Sequence, residues 1–105
     1  MKTLKLSVLD RLLLPQLLPQ QGGKYEMKIA NSIATKVDLT KQELLDFELK
    51  DNNGRIFWNP EKAVDVDFEF PAIEVEMLKT ASKQADENRT ISPQNLALIE
   101  KIDNL

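Results

Sequence analysis

Histidine and cysteine are both missing from this chain of 105 residues. Their absence removes the usual neutral-pH general base, the thiolate nucleophile and the soft metal ligands, and it rules out disulfides. A serine or threonine nucleophile would need a desolvated lysine as its base. Long apolar runs are missing as well. The leucine-rich stretch at residues 12–18 is broken by Pro15 and Gln16, short of the roughly 20 residues a membrane helix needs. Residues 1–8 resemble the start of a signal segment, but Asp10 and Arg11 interrupt it and no small-residue cleavage site follows. A cytoplasmic chain without membrane contact is expected. The calcium-loop pattern is absent, and Gly22-Gly23 lacks the spacing of a phosphate-binding loop.

What remains is an ordinary complement for folding: 42% hydrophobic residues and a formal charge of -3, enough for one domain with a real core. The charge is uneven. Residues 1–36 hold six bases and two acids, whereas residues 37–105 hold eight bases and fifteen acids.

Leu9, Leu13 and Leu17 recur at four-residue spacing beside Leu14 and Leu18, which predicts a helix over residues 7–18 that kinks or ends at Pro15. Ile29, Ile33 and Val37, with Ala30 and Ala34 alongside, predict a second helix from Lys24 to Val37. Thr40 and Glu43 form a capping-box pair at the head of a short third helix. The period then drops to two. Asn53-Gly54 suits a type I′ hairpin turn, which places Phe47, Leu49, Ile56 and Trp58 on one core-facing side and leaves Phe57 on the other with Glu48 and Lys50. Residues 64–70 alternate Val64, Val66, Phe68 and Phe70 with Asp65, Asp67 and Glu69, a third strand with one wet side. Ile73, Met77, Leu78, Ala81 and Ala85 predict a helix that follows Pro71. Ser92 as N-cap and Pro93 at the first helical position predict a last helix, with Leu98, Ile99 and Ile102 packing inward. The expected fold is α+β, a small helical bundle packed on a two- or three-stranded antiparallel sheet, winged-helix-like in its first two thirds.

The chemistry these residues offer is sparse. Asp65, Asp67 and Glu69 lie about 7 Å apart along a strand, too far to share one cation unaided. No pair of carboxylates is marked out for acid–base work, and Lys79 and Lys83 beside Ser82 read as an exposed helix face. No catalytic residue, cofactor or metal is expected, and the chain is read as a non-catalytic macromolecular binder. Two partners fit. Another protein could be held by Tyr25 and Phe57, aromatics flanked by polar residues, although the favoured reading of Phe57 is ordinary core beneath a terminal helix. DNA could be held in winged-helix fashion by Lys24, Lys28, Lys36, Lys41, Gln42 and Arg55, but Glu43, Asp46 and Asp51 stand where phosphate would approach.

The segments Leu9-Asp10-Arg11-Leu12-Leu13-Leu14, Leu18-Pro19, Leu39-Thr40 with Glu43, Phe47-Glu48-Leu49-Lys50, Asn53-Gly54, Trp58-Asn59 and Phe68-Glu69-Phe70 together span most of the chain. In this combination the chain resembles small proteins encoded by bacteriophages and integrated elements of gut bacteria. The resemblance carries no active residue with it. It implies an accessory role, which in some such proteins means binding and blocking a host protein.

Overall fold

The computed structural model describes residues 1–105. In chain order the elements are β1 (Lys2–Leu6), α1 (Val8–Leu17), α2 (Lys24–Val37), α3 (Lys41–Asp46), β2 (Lys50–Asn52), β3 (Arg55–Phe57), β4 (Val66–Phe70), α4 (Ala72–Glu87) and α5 (Leu96–Asp103). The fold is α+β, with five helices and two separate two-stranded antiparallel sheets.

The sheets are arranged differently from expectation. β4, the expected third strand of the hairpin, pairs instead with β1, a strand that the signal-like reading of residues 1–8 concealed. Its register sets Leu4 opposite Phe68 and Lys5 opposite Asp67. Leu4 and Leu6 turn inward, Thr3 and Lys5 outward, the alternation of a half-buried strand. Phe70 is fully buried beneath this pair.

α1 runs through Pro15 and ends at Leu17 rather than breaking. The proline sits in the last turn, so the one ladder bond it removes, to the Arg11 carbonyl, is followed by only two more helical residues. Ser7 and Asp10 form a reciprocal capping box at the start. α2 spans the expected residues and buries Ala30, Ile33 and Val37. In α4 the buried stripe is Val75, Leu78, Ala81, Ser82 and Ala85, and Ile73, expected inside, is exposed. α5 starts at Leu96, three residues later than the Ser92 cap predicts. The Ser92 amide donates to Asn95 Oδ1 at 2.8 Å, which makes residues 92–95 a turn of their own.

Twelve residues from β1, β4, α1, α2, α4, α5 and Leu18 form one apolar core. α3 and the β2–β3 hairpin contribute none of them. Polar bonds then tie α5 to this body and α2 to α4. Lys101 Nζ meets Asp10 at 2.6 Å, Ser82 donates to Asp103 at 2.6 Å, and the buried Glu74 accepts from Ser32 at 3.0 Å and pairs with Lys36. Every buried polar side-chain atom has a partner.

Candidate protein interface

Residues 38–65 form a lobe on the outside of this body, built from α3, the hairpin and the return toward β4. α3 starts with the expected capping box, in which the Glu43 amide donates to Thr40 Oγ1 at 3.1 Å and the Thr40 amide to Glu43 Oε1 at 3.0 Å. Only six residues long, it buries none of its side chains.

Its far end is a Schellman stop. The Leu49 amide donates to the Leu44 carbonyl, the Glu48 amide donates to the Leu45 carbonyl, and Glu48 takes φ of 54°. A glutamate in the left-handed region costs about 1 kcal/mol relative to glycine. Here its carboxylate has a second task. It accepts from Lys62 at 2.6 Å and from Asn59 at 3.3 Å, while the Asn59 amide donates to the Phe47 carbonyl, so the two ends of the hairpin segment are pinned together. The ammonium of Lys62 draws the Glu48 carboxyl below its usual range, and Lys62 is raised in return.

The hairpin follows its sequence. Asn53 and Gly54 form a two-residue loop with φ of 56° and 84°, the type I′ geometry that asparagine and glycine tolerate best. Asn52 stands opposite Arg55, Asp51 opposite Ile56 and Lys50 opposite Phe57. The expected apolar face forms only in part: Phe47 is buried, Leu49 and Trp58 are half-buried, and Ile56 is exposed. No helix covers the other side, and Phe57 is 52% exposed. The core reading of Phe57 is therefore set aside.

Arg11, buried on α1, ties the lobe to the body. Its side chain is 2% exposed. Nε donates to the Val37 carbonyl at 2.9 Å and one terminal nitrogen to the Asp38 carbonyl at 2.9 Å, serving carbonyls that the end of α2 leaves free. The same guanidinium grips both oxygens of Glu43, at 2.6 and 2.8 Å, and lies 5.0 Å from the Phe68 ring centre. The Arg11 hydrogen bonds hold the Glu43 carboxyl at about 2, well below its ordinary 4.5. In the sequence Arg11 had signalled only the end of an apolar segment. Nothing local points to partners 26 to 32 residues away.

Five apolar side chains of the lobe remain in water: Leu44, Leu45, Ile56, Phe57 and Val64, with Leu45 the most exposed at 74%. Of these the sequence singled out Phe57 alone, while Ile56 and Val64 were expected on core-facing sides and are exposed instead. Tyr25 is exposed too, but it lies apart from the lobe, on a groove of about 490 Å³ between α2 and α4 shared with Ile29, Ile73 and Met77.

The residues expected to meet DNA come from α2, α3 and the hairpin. Lys24 and Lys28 lie on α2, Lys41 and Gln42 on α3, and Arg55 on the hairpin. Lys36 is occupied by Glu74, by the Glu69 carbonyl at 2.9 Å and by the Phe70 ring at 4.7 Å, while Gln42 donates to Asp46 at 2.9 Å. On β4, Asp67 and Glu69 stand exposed opposite Lys5 and Thr3. No helix is long and apolar enough to cross a membrane. Compared with protein families, with curated proteins and with solved structures, the chain matches none.

Proposed function

We propose that this chain is a non-catalytic protein-binding module, a cytoplasmic accessory protein of a phage or mobile element, that meets its partner through the lobe of residues 38–65. The observation that carries this reading is the concentration of exposed Leu44, Leu45, Ile56, Phe57 and Val64 on a segment that gives no residue to the twelve-residue apolar cluster. Apolar side chains left in water on one segment cost stability unless another surface covers them, and aromatics among them are common anchors. The ion pairs and the Schellman stop hold that surface in shape before binding, which lowers the ordering cost of association.

A photo-cross-linking residue in place of Phe57 is expected to capture a discrete protein from the host, whereas the same residue at Lys83 on α4 is not. With the cross-linking residue moved to Leu45, Phe57→Ala is expected to abolish capture and to leave the melting temperature within about 1 °C, since an exposed side chain contributes little to folding. A matching loss of stability, or equal capture from both positions, would overturn the proposal. Duplex binding that weakens steeply with salt would favour the DNA alternative instead.

A further inference from the structure

We infer that the free edge of β3 pairs with β3 of a second copy of this chain, forming a four-stranded antiparallel sheet across a two-fold axis at Ile56. The inference deepens the reading of the lobe as an interface by naming one occupant.

Backbone geometry comes first. In a two-residue hairpin the pair flanking the loop, here Asn52 and Arg55, exchanges both backbone hydrogen bonds. Bonding alternates along the ladder, so at the next pair, Asp51 and Ile56, the amide and carbonyl of each residue point outward along the open edges. No third strand covers either edge. An isolated two-stranded hairpin is marginal in water, and another strand is the direct way to satisfy it.

Self-complementarity then separates the two edges. A two-fold axis at Ile56 lets the two Ile56 residues exchange their outward amide and carbonyl bonds. It also sets Arg55 of each copy opposite Phe57 of the other, in the pair type where side chains come closest. Arginine against an aromatic ring is an attractive cross-strand pair. The equivalent axis on β2 would set Asp51 against Asp51, two like charges face to face. The β3 edge is thus self-complementary and the β2 edge is blocked, so pairing closes at a dimer instead of propagating into a filament. The other sheet is partly guarded, because Lys36 Nζ occupies the Glu69 carbonyl of β4.

The contact is short, so the dimer is weak and in rapid exchange. Sedimentation equilibrium of the full chain over a concentration series is expected to show a monomer–dimer equilibrium. The amide resonances of residues 55–57 should shift with concentration while that of Asp51 stays still. Ile56→Pro removes the outward donor from each copy without touching the hairpin's own bonds, and it should raise the dimer dissociation constant about 10- to 30-fold. Arg55→Glu, which leaves the backbone intact, should weaken the dimer as well, and this variant decides the matter if the proline disturbs the hairpin. A chain that stays monomeric throughout, or concentration-dependent shifts confined to another surface, overturns the inference. A monomeric chain whose Phe57 position still cross-links a different protein overturns self-pairing alone and leaves the lobe as an interface.

Discussion

Phe70 and Phe47 are both buried, yet their surroundings differ. Phe70 lies inside an apolar cluster fed by most elements of the body, whereas Phe47 ends a helix that buries nothing else and belongs to a segment outside that cluster. Around Phe70 the chain is held by the removal of surface from water, a force without direction that tolerates small shifts. Around Phe47 it is held by a few directional bonds: Arg11 to Glu43 and to two carbonyls, Glu48 to Lys62, and Asn59 to Phe47. Directional bonds fix a surface in place without using its apolar side chains, which leaves those side chains available.

The sharpest way to break this contrast is to attack each region at its own anchor. Phe70→Ala is expected to cost about 3–5 kcal/mol in urea denaturation and to destabilise body and lobe together, because it empties the shared core. Arg11→Met should cost about 3 kcal/mol, leaving Glu43 without its cation and the Val37 and Asp38 carbonyls unserved. Its signature is regional: hydrogen exchange should quicken across residues 38–65 first, while Ile33 and Leu78 remain protected. Uniform loss of protection would show that lobe and body form one cooperative unit.

Acid provides the gentlest probe. Because the folded-state value of Glu43 is depressed, its contribution is complete above about 4.5 and is lost as the pH falls toward about 2. Trp58 fluorescence is expected to report loosening of the lobe across that window. Glu43→Gln should flatten this dependence while lowering stability at neutral pH. An unchanged acid profile in the variant would place the titration elsewhere.

Features legible in the sequence were those fixed within a few residues. α2, the Thr40–Glu43 capping box and the Asn53-Gly54 turn each depend on neighbours along the chain, and each stands where the pattern puts it. β1 was not legible, since five alternating residues acquire meaning only beside Phe68 and Phe70, more than 60 positions away. The same holds for Arg11, whose role depends on the end of α2 and the start of α3. Phe57 was legible as an anomaly with two outcomes. Which outcome holds depends on whether any helix reaches the hairpin, a question of tertiary arrangement that periodicity does not address.

The pairing of β1 with β4 also sets a timetable for synthesis. Leu4 and Leu6 leave the ribosome before their partners Phe68 and Val66, which are made about 60 residues later, about 3 to 12 s at ordinary rates of elongation. Throughout that interval the nascent chain carries an unpaired strand. Lys2, Thr3 and Lys5, interleaved with the two leucines, keep that waiting segment soluble until its partner emerges.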